Sequence, residues 1–115
     1  EQVRAALGSA CGKDLRVERI DAPNYGIHVV ECFAAGADKW TGIRHVAAAG
    51  GINAADIAAV GDDVNDLPLF ARAGLPVAMG NAADPIRRAA RHVTAGHDDD
   101  GLAVFIEQLL DGGFD

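Results

Sequence analysis

Cysteine, large aromatics, basic charge and membrane-length apolar runs are all scarce or missing in this chain, and each shortage excludes something. Ten Lys and Arg stand against seventeen Asp and Glu, a formal net charge of −7. No basic stripe is present to track a nucleic-acid backbone or lie on an anionic membrane. An anionic substrate would therefore be met locally, by a metal or a few Lys and Arg. The two cysteines, Cys11 and Cys32, are too few for a disulfide framework and lack C-x-x-C spacing. They read as reduced, buried thiols of a cytoplasmic protein. No apolar run reaches the roughly 20 residues that span a bilayer, and the N-terminus lacks the basic-then-apolar pattern of a signal peptide. Aromatics amount to four Phe, one Trp and one Tyr in 115 residues. The core should be modest and packed through alanine and other small side chains. The chain opens on Glu1 rather than Met, as a processed, cloned or excised segment would.

What is present changes period near Ala34–Gly36. Before it, Val3, Ala6, Leu7 and Ala10 mark one face of a helix over residues 1–10, stopped by Gly12. Leu15, Val17 and Ile20 begin a strand, Pro23-Asn24-Tyr25-Gly26 is turn chemistry, and Ile27–Phe33 is a second β-rich run, together a hairpin. After it, a helix over 41–49 ends at Gly50-Gly51. Short apolar runs follow at 57–60, 76–79 and 91–94, alternating with helical patterns at 67–73, 83–91 and 101–110. Asn53 or Asp56 is placed to cap a short turn before the first run. Short buried strands alternating with helices predict parallel βαβ units in an α/β sheet.

The run Ile57–Val60 leads into Gly61-Asp62-Asp63-Val64-Asn65-Asp66. Ligands of open α/β sheets gather at the carboxyl ends of strands, so chemistry is expected here. Gly61 allows a sharp turn without bulk. Asp62 offers a hard oxygen to Mg²⁺, which takes one or two carboxylates and completes its shell with water and phosphate oxygens. Asn65 and Asp66, one turn on, can orient that shell. A solvated helix start would also use Asp and Asn, and a lone D-x-x-N-D would be read that way. A calcium EF-hand fails, because Val64 occupies the third loop position and no glycine stands at the sixth. His28, His45, His92 and His97 have no zinc-ligand spacing.

The order of further motifs decides between these readings. Gly36-Ala37-Asp38-Lys39 precedes a helix and the Gly50-Gly51-Ile52 turn. The strand and loop ending in Gly61-Asp62 and Asn65-Asp66-Leu67-Pro68-Leu69 come next, then Leu75-Pro76-Val77-Ala78-Met79-Gly80-Asn81-Ala82, and finally Asp100-Gly101. Residues 34–115 thereby resemble the C-terminal half of the haloacid dehalogenase-like phosphatases, in the branch with a large α/β cap (the C2 cap) and Cof-type members. Residues 1–33 resemble the last helix and hairpin of that cap. The resemblance implies a partial Rossmann-like parallel sheet and an N-terminal α+β remnant. It implies that Asp62 is a magnesium ligand, that Asp66 joins the metal shell, and that Asn65 touches phosphate. Lys39 would bind the transferring phosphoryl group and the nucleophilic carboxylate, with Lys39 and Asp62 the catalytic pair. Trp40 departs from the family, which has glycine or another small residue there; core packing is its expected role. Asn81 is expected to cap a helix beginning near Ala83, beside the site.

The family's aspartate nucleophile and second acid lie in a D-x-D-G-[T/V] loop, and no such loop follows an apolar strand here. Asp98-Asp99-Asp100-Gly101 follows Thr94-Ala95-Gly96-His97 and matches the family's later D-G instead. A phosphate-binding Ser or Thr motif also has no match. The expectation is a Mg²⁺-dependent phosphomonoester hydrolase of small phosphorylated metabolites, sugar phosphates included, working through an aspartyl-phosphate. The nucleophile segment would lie outside this chain, which alone should be inactive. The alternative is a non-catalytic fragment or binding and regulatory module. Exposed half-core surface would call for an upstream segment or self-association.

Overall fold

The computed structural model describes residues 1–22 and 25–114. They divide into two compact units, Glu1–Asp38 and Lys39–Asp115. In the first, helix α1 (Gln2–Cys11) ends where Gly12 takes a positive φ of 54°. Strands β1 (Leu15–Ala22) and β2 (Ile27–Ala34) pair antiparallel from Leu15↔Ala34 to Ala22↔Ile27. The expected turn between them includes Pro23 and Asn24, which lie outside the described residues. The Arg16 guanidinium lies 5.0 Å from the ring centre of its cross-strand partner Phe33. It also donates to the Ala37 carbonyl at 2.9 Å.

Cys11 and Cys32 are free and exposed, not buried. One short helix and a two-stranded ribbon offer too little material to enclose them. α1 itself buries no residue.

The second unit starts with helix α2 (Lys39–Ala49), which buries Trp40 and Ala47. Gly51, at φ 66°, closes it. The Ile52 amide donates to the Ala47 carbonyl and the Gly51 amide to Ala48, the double bond of a glycine-terminated helix. A 3₁₀ turn (Ala54–Asp56) follows. Asn53 occupies its cap position but makes no cap bond; its side-chain amide instead approaches Asp56 at 3.4 Å.

Strands β3 (Ala58–Gly61), β4 (Leu75–Ala78) and β5 (His92–Val93) form a parallel sheet in that order. Helices α3 (Leu67–Phe70) and α4 (Asp84–Ala89) connect them. Ala59, Phe70, Ala78, Ala82 and Ile86 make the core on one face, flanked by Leu67, Leu69 and Met79. Ile86 is wholly buried and Phe70 is 5 % exposed, each burial contributing about 1.5–3 kcal/mol. Val77, on the opposite side of β4, is also fully buried. There α5 (Gly101–Leu110) brings Phe105 to 6.5 Å from the His92 ring, and Phe114 packs on both rings.

The helix expected over 67–73 stops at Phe70. Gly74 must pass the preceding turn, its amide bonded to the Ala54 carbonyl at 2.9 Å. A Cβ there would sit 2.6 Å from the Ala55 carbonyl carbon. The chain therefore turns out of the helix early. Among the described residues, no helix is long and apolar enough to cross a membrane.

Candidate active site

The carboxyl end of β3 is organised by one buried carboxylate. Asp63 begins the 3₁₀ turn Val64–Asp66 and accepts the Val64 amide at 2.7 Å; Asp66 reaches back to the Asp63 amide, closing a capping box. The same Asp66 oxygen, Oδ2, lies 3.1 Å from the Asp62 amide and 3.4 Å from that of Asp63. Its other oxygen accepts from Lys39 Nζ at 2.5 Å. Asp66 is only 5 % exposed. Gly61 makes room for it, since a Cβ there would lie 2.6 Å from the Asp66 carboxyl carbon.

Lys39 also donates to Asn65 Oδ1 at 3.1 Å, while its side chain remains 47 % exposed. It is the first residue of α2, where the positive end of the helix dipole disfavours a cation. Helix stability does not account for a lysine at that place; the Asp66 carboxylate and Asn65 amide hold it there.

Asp62 differs from Asp66 in kind. It is exposed, and its carboxylate makes no hydrogen bond or ion pair among the described residues. Its backbone is nonetheless fixed, the amide by Asp66 and the carbonyl by the Ala83 amide at 3.1 Å. The arrangement therefore combines an unpartnered carboxylate with a half-exposed amine, both anchored to Asp66. Among the described residues, no three His, Cys, Asp or Glu side chains converge as a complete metal cage. Magnesium does not require one, because one or two carboxylates suffice when water and phosphate fill the shell. The free Asp62 oxygens have the chemistry that such an ion takes.

Asn81 does not cap α4. Ala83 occupies the cap position, and Asn81 Oδ1 accepts the His97 amide at 2.9 Å. His45 is exposed on α2. The acidic stretch before α5 is a 3₁₀ turn (His97–Asp99) followed by Asp100 in the left-handed region at φ 53°. Thr94 Oγ1 bonds the buried Gly101 carbonyl at 2.7 Å. Sequence reasoning passed over Asp63, although its spacing to Asp66 carries the capping-box signal. It also missed the Ala83 amide, which no side-chain motif could announce.

A model of the haloacid dehalogenase-like hydrolase family matches residues 1–106. The chain is 39 % identical over 89 residues to 5-amino-6-(5-phospho-D-ribitylamino)uracil phosphatase YwtE of Bacillus subtilis, covering 77 % of this chain and 31 % of that protein. The crystal structure of a haloacid dehalogenase-like hydrolase from Bacteroides thetaiotaomicron superposes with a TM-score of 0.80 at 30 % identity, over 94 % of this chain and 39 % of that one. A subclass IIB sugar phosphatase of the same superfamily superposes at 0.75 with 26 % identity, again over 94 % and 39 %. Their common class is a hydrolase with an α/β core, and phosphatases are among them. The chain belongs to the haloacid dehalogenase-like hydrolases and is of their Cof type. It spans about a third of the length of YwtE.

Proposed function

We propose that this chain contributes the metal-binding and phosphate-binding half of a Mg²⁺-dependent phosphomonoester hydrolase. Its substrates would be small phosphorylated metabolites, sugar phosphates among them. Residues 1–33 are then the end of a cap and residues 34–115 the downstream half of the catalytic core. The observation that carries this is the contrast around Asp66: a free Asp62 carboxylate and a half-exposed Lys39 amine, fixed to one buried acid at a strand's carboxyl end. Asp62 would hold Mg²⁺. Asp66, whose two oxygens already meet protein donors, would complete the metal shell chiefly by orienting Asp62 and Lys39. Lys39 and Asn65 would face the phosphate. Bound Mg²⁺ supplies positive charge to the phosphoryl oxygens, and Lys39 adds a second, fixed charge where negative charge builds. The aspartate that would accept the phosphoryl group has no candidate among these 115 residues.

Two further surfaces bear on what would accompany this chain. Leu102, Ile106 and Leu109 recur along α5 at 50 %, 44 % and 40 % exposure. β3 has β4 as its only ladder partner among the described residues. An additional chain segment, or self-association, would cover both. The net charge of −7 argues against nucleic-acid and membrane partners, and two exposed free thiols suit the reducing cytoplasm. A non-catalytic binding or regulatory module is the second reading, favoured by the missing D-x-D-G loop.

The test is a Mg²⁺ titration followed by amide NMR, together with a p-nitrophenyl phosphate assay. The shifts should concentrate at Asp62–Asp66 and vanish in Asp62→Ala. The stability of that variant should stay within about 0.5 kcal/mol of the parent, since its side chain is exposed and unpartnered. The chain alone should not turn over. Adding a segment bearing the D-x-D-G-T loop should give Asp62-dependent hydrolysis; metal binding without hydrolysis in that complex would favour the second reading. Mg²⁺-dependent turnover by the isolated chain would refute the assignment of the nucleophile.

A further inference from the structure

The turn after β4 is hydrogen-bonded to the loops on both sides of it. On one side it meets the acidic loop: the Met79 amide bonds the Gly61 carbonyl at 2.9 Å, and the Ala83 amide bonds the Asp62 carbonyl at 3.1 Å. On the other it meets the segment between β5 and α5. There the Gly80 amide bonds the Ala95 carbonyl at 3.0 Å, and Asn81 Oδ1 accepts the His97 amide at 2.9 Å. The two backbones lie so close that a Cβ on Gly80 would come within 2.8 Å of the Gly96 nitrogen. His97 opens the 3₁₀ turn His97–Asp99, so its amide is a donor that the turn itself leaves unused. Asn81 supplies the missing acceptor from another part of the chain. The segment it grips is itself secured, because the Gly101 amide bonds Gly96 and Thr94 Oγ1 bonds the buried Gly101 carbonyl.

We propose that Asn81 is a positioning residue for Asp62, an inference that rests on the reading of Asp62 as a metal ligand. Its amide oxygen ties the 79–83 turn to the hydrogen-bonded 94–101 segment, and that turn holds the Asp62 backbone through Ala83. Asn81 touches neither metal nor substrate in this role. The side chain of Asp62 has no partner among the described residues, so its direction depends on how firmly its backbone is held. Loss of the Asn81 bond leaves the His97 amide without its acceptor and leaves the Gly80–Ala95 backbone bond to hold the turn on the side away from the acidic loop. The loop then retains its own bonds to Asp66 but loses an external brace.

The experiment compares the 115-residue chain with Asn81→Ala and Asn81→Asp, the second retaining an oxygen acceptor. Amide hydrogen exchange reads the brace directly. In Asn81→Ala, exchange should rise roughly tenfold or more at His97 and severalfold at Ala83, as loss of one hydrogen bond of ordinary strength predicts. Asn81→Asp should restore most of the protection at His97. Paramagnetic broadening by Mn²⁺, which shares the oxygen preference of Mg²⁺, reads the consequence. Asn81→Ala should need roughly three- to tenfold more Mn²⁺ for equal broadening at Asp62 and Asp63. Unchanged Ala83 exchange, or coincident Mn²⁺ curves in parent and Asn81→Ala, would overturn the proposal. If Mn²⁺ broadens neither amide in the parent chain, the metal-site reading fails; Ala83 exchange then decides alone whether Asn81 braces the loop. A variant that merely melts at lower temperature, with both readouts unmoved, shows a structural residue and also overturns it.

Discussion

Lys39 and Asp66 meet at 2.5 Å, and the second oxygen of that Asp66 carboxylate accepts the amide of Asp62. One buried acid therefore sets the positions of both the amine and the exposed carboxylate proposed to grip a phosphate. The two sides of this network are unequal. Lys39 can turn to water when its partner is removed, whereas the Asp62 and Asp63 amides would lose a shared acceptor next to the core.

That inequality gives a ranked stability prediction. Asp66→Ala should cost about 2–3 kcal/mol, mainly through the stranded amides. Asp66→Asn keeps an oxygen beside those amides and should cost about 1 kcal/mol less. Lys39→Ala should be the mildest, because Asp66 keeps its backbone donors. Urea unfolding of the three variants checks the order. A Lys39→Ala variant less stable than Asp66→Ala would show that the ion pair, and not the loop amides, dominates.

The sequence makes the sheet legible because each parallel strand is a short buried run between helical patterns. Residues 101–110 form the expected final helix, and β3, β4 and β5 fall within one residue of, or inside, the expected runs. The end of α3 is not legible, because Leu67, Phe70 and Ala73 share helical spacing while the constraint comes from the backbone of Ala54 and Ala55. The cysteines mislead for another reason: burial depends on what surrounds a residue, and the first unit is small. At the site, the residue types were readable from the motif order, but their partners were not. Asn81 follows a strand and precedes a helix, which suggests a cap; its actual partner lies sixteen residues on. No local pattern encodes a bond of that span.

Two glycines separate close approach from open space. At Gly101 a Cβ would lie 2.6 Å from the Ala95 carbonyl carbon, in backbone that cannot swing aside. Gly101→Ala should cost at least the upper end of the roughly 1–3 kcal/mol typical of overpacking, and should disturb the Thr94 bond. Gly8 lies within α1 with nothing within 4 Å of its Cβ position. Gly8→Ala should stabilise that helix by roughly 0.5–1 kcal/mol through lower unfolded-state entropy and better helix propensity. Thermal melts and helical circular dichroism measure both. Equal effects of the same sign would contradict the geometry.

On the hairpin, Asp21 Oδ1 is shared by Arg19 Nε and His28 Nδ1, each at 2.7 Å. The hydrogen bond from Arg19 is the larger cause, and that from His28 the next, of a carboxyl pKa held below its ordinary value. A group depressed in the folded state favours folding above its unfolded pKa. That contribution falls away as pH drops through the folded value, so any loss lies at the acid end, below the ordinary carboxylate range. Asp21 is 62 % exposed, and solvent screening keeps the stability effect small. The titration itself is the sharper observable. Carboxyl-carbon NMR should show Asp21 ionising at lower pH than a free aspartate, with Arg19→Ala moving it up further than His28→Ala does. If removing His28 produced the larger shift, the imidazole would be the dominant partner and the ranking of the two donors would have to be reversed.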